Sequence, residues 1–447
     1  MLLAVLLLAG CSSPDRGINP PLAPGTRNAG YDLADMNAAS GRTDLLIFVA
    51  LSGGGKRSAA FAHGVLRGMR DVPVGVGGPP STLLAEIDQL AGVSGGTFTA
   101  AHYALNGERS FETFPEEFLH RDIASYVWGT YVLPWQWGWL VDPYIGTNDR
   151  MAQVYDDLMF HGATFRDLIA RGRPRLSVNA TDLASGGSFP FLPHAFDVIC
   201  SDLSRFSVAR AVAASNGFPL LFTPITLANQ RGPHCDTPLP VNLAVRPPPR
   251  DYNRRRLYEI VGRMADRDRT PWLHLLDGGI ADNLALRTTL NFSLLGGTDM
   301  SEFIAANMPV RRMLVISVDG QSATDQALSQ QRMVNGIVQI FDAVSGGQID
   351  NYNLETLAML QAEVDRLTER QRELRCARAR TIEGFPCDDS KGMLARVSLA
   401  DVRDPALRER LRQIPTGLTL PPEDVEALVA AGESVIRNHA ELAEFLR

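Results

Sequence analysis

The sequence has no excess of positive charge. Its 43 Lys and Arg are outnumbered by 50 Asp and Glu, for a formal net charge of -7 and an isoelectric point near 5.7. Such a surface gives no field for tracking a phosphate backbone, so nucleic acid is not an expected partner, although a single anionic lipid headgroup remains compatible. Long apolar runs are missing as well: Leu2 to Leu8 falls far short of the roughly 20 residues that span a bilayer. Only five cysteines occur, with no Cys-x-x-Cys and no spacing that suits zinc. No internal repeat is present, which sets solenoid architectures aside. What remains is a chain of 447 residues, 45% apolar and 21% charged, enough to bury a full core as one large domain or two smaller ones.

The apolar run at the start is followed by Ala9, Gly10 and Cys11. Leu8-Ala9-Gly10-Cys11 resembles the bacterial lipobox. That resemblance implies a lipoprotein signal over residues 1–11, with Cys11 as the lipidated residue and a lipid anchor in a membrane. Ser12 rather than Asp follows the cysteine, which implies sorting to the outer membrane, facing the periplasm or the cell surface. Residues 12–43 are rich in Pro, Gly, Asn and Ala without periodic apolar positions, the composition of a flexible tether. Cys200, Cys235, Cys376 and Cys387 allow three pairings. In an oxidising periplasm their order favours Cys200 with Cys235 and Cys376 with Cys387, which close short loops; four buried free thiols are the alternative.

Folding is expected to begin at Asp44. Leu45 to Leu51 is continuously apolar and ends in a turn signal, as a parallel strand covered on both faces requires. A helix is predicted from about Lys56 to Met69, a strand ending near Leu90 and Ala91, and a helix from Thr97 to Leu105. Further strands are predicted at Leu176–Ala180, Trp272–Leu276 and Met313–Val318. Strands alternating with helices of this length indicate an α/β layer fold with a mostly parallel sheet. Beyond it, residues 321–447 read as mainly helical, with Leu354, Leu357, Leu360, Val364 and Leu367 on one stripe that packs on the core. Val397 to Leu399 and the segment from Pro422 to Leu446 are candidates for rejoining the main fold.

Three segments carry chemistry. Gly92-Val93-Ser94-Gly95-Gly96 lies between an apolar strand and a helix, the order of a nucleophile elbow. A serine there needs small neighbours, and its hydroxyl sits where the helix N-terminus favours developing negative charge. Ser52-Gly53-Gly54-Gly55-Lys56-Arg57 also joins a strand to a helix, and glycines leave amides unshielded for one oxygen. A phosphate-binding loop would need Gly at position 50 and Ser or Thr after the lysine, where this chain has Ala50 and Arg57. Asp277-Gly278-Gly279 ends the strand Trp272–Leu276, which would bring the carboxylate to the carboxyl edge of the sheet. A turn-capping role is the plainer reading of that aspartate.

Together, in this order, these motifs resemble the patatin-like phospholipases, which pair a glycine-rich oxyanion loop, Gly-x-Ser-x-Gly, and Asp-Gly-Gly or Asp-Gly-Ala. Asn179-Ala180-Thr181-Asp182-Leu183, Ala213 to Pro219 and Ile280 to Leu284 are similar too, so the resemblance spans about 44–320, the expected catalytic core. It implies a three-layer α/β/α fold and a Ser-Asp dyad without metal or other cofactor. Asp277 would deprotonate Ser94, and Gly53, Gly54 and Gly55 would hold the oxyanion. Arg57 stands one place beyond where a compact loop arginine is expected, and no role is assigned to it.

The implied activity is that of a serine acyl hydrolase of the phospholipase A or lysophospholipase type, acting on phospholipid or other acyl-ester lipids. An acyltransferase using the same acyl-enzyme and a non-catalytic lipoprotein binding module are the alternatives. A Ser-His-Asp triad would need a histidine after Asp277, and only His439 follows it; His274, on the strand, is expected to pack there. Four of the five tryptophans, Trp128, Trp135, Trp137 and Trp139, crowd between Tyr126 and Tyr144 with Tyr131. They suit either an aromatic core cluster, the favoured reading, or a lid or acyl groove at a lipid interface.

Overall fold

The computed structural model describes residues 18–31, 44–75, 80–133, 142, 144–219, 221–232, 235, 250–295, 309–321, 332–333 and 337–447. Cys11, Trp135, Trp137 and Trp139 lie outside them.

The first strand, β1 (Leu45–Leu51), is buried at every position. Its side chains alternate between two cores: Leu45, Ile47, Val49 and Leu51 join one cluster, and Leu46, Phe48 and Ala50 join the other. That alternation makes β1 the middle of a three-layer α/β/α arrangement, with helices covering both faces. From it the chain continues through α1 (Gly55–Met69), β2 (Gln89–Val93), α2 (Gly95–Asn106) and α3 (Ile123–Val132). Then come β3 (Arg175–Asp182), β4 (Gly187–Pro190), α4 (Val208–Ser215), β5 (Ile225–Ala228) and β6 (Trp272–Leu276). The last part holds β7 (Arg312–Asp319), α5 (Ile337–Arg378), β8 (Lys391–Ser398), α6 (Pro405–Gln413) and α7 (Pro422–Arg437).

The eight strands form one sheet in the order β8-β7-β1-β2-β3-β6-β5, with β4 paired to β3. β8, β7, β1, β2 and β3 run parallel. β6 does not: it pairs antiparallel with β3 and with β5. Asp277 thus reaches the carboxyl edge of the parallel strands, as expected, but it does so from an antiparallel strand. Residues 180 to 182 extend β3 past Asn179, the last partner of β2, and β6 pairs with that overhang through Thr181 to Leu276 and Asp182 to Leu275. The chain leaving β6 therefore heads back toward the end of β2.

The part beyond residue 320 is more than a helical layer. β8 pairs along its whole length with β7, so it supplies the edge strand of the main sheet. α7 crosses α1 so closely that a Cβ at Gly64 would strike the Val429 carbonyl, and one at Gly432 would strike that of Phe61. On α5, Leu360 and Val364 are buried and Leu357 packs beside them, but Leu354 is 63% exposed. The buried face runs on instead through Thr368 and Gln371.

Residues 18–31 are not free tether. Asn19 exchanges two hydrogen bonds with the backbone of Ala228, at 3.0 and 2.6 Å, and Pro21 bridges to Ser201. Tyr31 is wholly buried, and its hydroxyl accepts from the Leu176 amide at 2.8 Å. Disulfides join Cys200 to Cys235 and Cys376 to Cys387, with Cα separations of 5.4 and 4.8 Å. The second ties the end of α5 to the approach of β8. No described helix is long and apolar enough to cross a membrane.

Candidate active site

β2 ends at Val93, and the chain turns into α2 at Ser94, whose φ of 48° and ψ of -126° are costly for any residue with a Cβ, by about 1–3 kcal/mol. Neighbouring bonds hold the turn: Thr97 N donates to Ser94 O at 2.9 Å, and Gly96 N to Ser52 O at 3.2 Å. Close approach explains the glycines. A Cβ on Gly95 would collide with the Gly55 carbonyl, and one on Gly92 would come within 2.7 Å of the Thr97 Cα.

Ser94 Oγ donates to Asp277 Oδ2 at 2.9 Å. The other carboxylate oxygen, Oδ1, accepts from Gly279 N at 2.7 Å. The aspartate is fixed from its own backbone as well: Asp277 N donates to Gly217 O at 3.0 Å, and Thr181 Oγ1 donates to Asp277 O at 2.8 Å. Burial pushes the Asp277 carboxyl up to about 6, although the bonds from Gly279 N and Ser94 Oγ pull it down. Hydroxyl and carboxylate, far apart in sequence, are thus in proton-transfer range, with the carboxylate more basic than usual.

Ser215, at the end of α4, is a positioning residue that sequence reasoning did not single out. Its hydroxyl donates to Asn179 O at 2.6 Å and accepts from Ser94 N at 3.0 Å, with Thr97 Oγ1 also 3.0 Å away. It stands within the stretch Ala213 to Pro219, where only family likeness marked it. Ser215→Ala is expected to lower kcat about tenfold and stability by about 1–3 kcal/mol, because it strands the Ser94 amide. Steady-state kinetics alongside urea unfolding would check both.

The glycine loop lies against this pair. A Cβ on Gly53 would stand 3.3 Å from the Ser94 Cβ. Contrary to expectation, the three amides are not equivalent: Gly53 N donates to Asn283 O at 2.9 Å and is committed to that bond. Among the described residues, the amides of Gly54, Gly55 and Gly95 have no acceptor. Gly54 and Gly55 adopt φ of 129° and 59°, which is where the loop needs glycine. Arg57, left without a role by the sequence, is fully buried behind the loop. Its guanidinium donates to Gly320 O at 2.8 Å, to Ile414 O, and to Thr416 Oγ1 at 3.2 Å.

Among the described residues no histidine bonds to Ser94 or Asp277. His439 caps the last helical turn, accepting from Leu442 N at 3.3 Å, and His274 is exposed on β6 beside Thr226. A Ser-His-Glu array does exist elsewhere, with His102 Nδ1 2.7 Å from Ser110 Oγ and Nε2 2.8 Å from Glu117. Ser110 is buried within its helix, so that array serves packing. Trp128 departs from the core-cluster expectation: it is 61% exposed on α3, near the exposed Tyr126 and Val132.

A sequence profile for the family described as Patatin-like phospholipase matches residues 49–290, more than half of the chain, including the glycine loop, Ser94 and Asp277. The chain belongs to that family. Within this patatin-like phospholipase the matched residues stop short of β7, β8 and the helices α5 to α7. Human GIVD cytosolic phospholipase A2 is a structural neighbour at 12% identity and a TM-score of 0.44, over 92% of this chain and 64% of that one. The same enzyme in complex with methyl gamma-linolenyl fluorophosphonate aligns at 12% identity, TM-score 0.43, over 94% and 62%. The patatin-like chain thus spans less than two thirds of the length of these neighbours. No curated protein sequence matches it significantly.

Proposed function

We propose that this protein is a serine hydrolase of lipid acyl esters, of the phospholipase A or lysophospholipase type, working through a Ser94–Asp277 dyad. The observation that carries the reading is the 2.9 Å hydrogen bond from Ser94 Oγ to the buried Asp277 carboxylate. Asp277 takes the hydroxyl proton as Ser94 attacks the acyl carbonyl, and then gives that proton to the departing alcohol. Water, deprotonated by the same carboxylate, attacks the acyl-enzyme, and the proton passes to Ser94 Oγ as the ester bond breaks and the fatty acid is released. The open amides of Gly54, Gly55 and Gly95 are the donors available to the oxyanion at each stage. In this reading Gly53 orders the loop rather than binding charge.

Lipidation at Cys11 would hold the enzyme beside its substrate, as an outer-membrane lipoprotein with phospholipid in reach. The test is mass spectrometry of mixed phospholipid bilayers incubated with the purified protein. Free fatty acid and lysolipid in equal amounts, absent with Ser94→Ala, are the expected products. Acyl transfer to added glycerol or lysolipid in place of release would mark an acyltransferase, and intact lipid with a protein that never labels with fluorophosphonate would leave only a binding role.

A further inference from the structure

The three consecutive amides after Gly53 are treated differently by their surroundings. Those of Gly54 and Gly55 are left open, while that of Lys56 donates to Gly417 O at 2.9 Å. Gly417 lies between α6 and α7, far outside the residues that match the family. The same short segment presses on the loop elsewhere: a Cβ on Gly55 would stand 2.6 Å from Gly417 O and 3.3 Å from the Thr416 Cγ2. Of the three acceptors that hold the buried Arg57, two, Ile414 O and Thr416 Oγ1, belong to it. The third, Gly320 O, also lies beyond residue 290. At its far end Thr419 Oγ1 donates to Asp122 Oδ1 at 2.6 Å.

The loop is tied from within near its start, where Ser52 Oγ donates to Gly53 O at 3.1 Å and Ser58 Oγ donates to Ser52 O, but the amides at 54 and 55, on glycines in left-handed conformations, make no bonds. The further restraint on that glycine stretch comes from behind. We infer that the segment Ile414–Thr419 is a strap that positions the glycine loop for catalysis, with Thr416 and Gly417 as its positioning residues. By accepting from Lys56 N, Gly417 fixes where the free amides end and the α1 hydrogen-bond ladder begins. Thr416 completes the seat of Arg57, whose guanidinium nitrogen Nη2 would lie 3.0 Å from a Cβ on Gly54. Neither residue touches the substrate, so both act through the direction in which the Gly54 and Gly55 amides point.

This inference rests on the hydrolase reading above, and the experiment separates the two. Full-length wild type, Thr416→Val and Thr416→Ser are titrated with a fluorophosphonate, and kcat and KM are measured on a short-chain chromogenic ester per titrated site. A strap that aims the oxyanion donors predicts that Thr416→Val loses about tenfold in kcat per titrated site with KM within about twofold, since small misplacements of catalytic groups cost this much or more. Thr416→Ser, which restores the acceptor, should recover wild-type kcat. Normalising to titrated sites lets a partly folded preparation report the same quantity. A glycine inserted between Leu418 and Thr419, which lengthens the strap without deleting a side chain, should reproduce the loss. Unchanged kcat per site in Thr416→Val, including the case where only the titratable fraction falls, would overturn the inference and leave the strap a matter of stability. A wild type that turns over ester but never labels would instead remove the Ser94 reading, and this inference with it.

Discussion

Ser94→Ala is expected to abolish fluorophosphonate labelling and to lower kcat by about 10⁴-fold or more, the scale on which nucleophile loss is felt in serine hydrolases. The size follows from the chemistry. Without the hydroxyl no acyl-enzyme forms, and the loop amides are left to polarise a carbonyl that only bulk water can attack. Folding should survive, because alanine fits the same elbow: the close contacts that demand glycine fall on Gly92, Gly95 and Gly96, not on Ser94. Circular dichroism that matches wild type, together with residual rates near background, is the expected pair of results. Substantial turnover by a folded Ser94→Ala protein would sink the dyad.

The second large effect lies at the carboxylate. Asp277→Asn should cut kcat by about 10³–10⁴-fold, since an amide can accept the Ser94 hydrogen bond but cannot take its proton. Burial raises the Asp277 carboxyl to about 6 in the fold, against an ordinary 3.8, so its two pH dependences run in opposite directions. Activity needs the ionised form, and kcat/KM should rise with pH through about 6 to a plateau. Stability goes the other way. The folded protein binds this proton more tightly than the unfolded chain does, so the group's contribution is whole below about pH 4 and is lost as pH rises through about 6. At pH 7 the native state therefore carries a desolvated charge, and Asp277→Asn should be more stable than wild type by about 1–3 kcal/mol. That margin should vanish near pH 4. Denaturant melts at the two pH values would test it, and a variant less stable than wild type at pH 7 would refute the argument.

How much of this was legible in the sequence depended on the range of each constraint. The elbow was readable because its steric demands act over a few residues, so Gly92, Ser94, Gly95 and Gly96 carry them in one short run. Strand β1 was readable because burial on both faces writes a continuous apolar stretch. The direction of β6 was not, since Trp272–Leu276 would look the same parallel or antiparallel; only its pairing with the β3 overhang reverses it. Composition misled at residues 18–31, where Pro and Gly suggested a linker while the side chains of Asn19, Asn28 and Tyr31 dock the segment. Leu354 misled by continuing a helical stripe past the point where anything covers it. The seat of Arg57 left no local trace, because Thr416 lies 359 residues away in the chain.

The crossing of α7 over α1, glycine against backbone, has a consequence for timing. The helix that begins at the glycine loop waits for α7, and β7 waits for β8, both made near the end of translation. A nascent chain that has emerged through residue 290 holds every family motif but neither β8 nor α7. The serine and its carboxylate are written early, yet the scaffold behind them closes only after residues 391–437 have been synthesised.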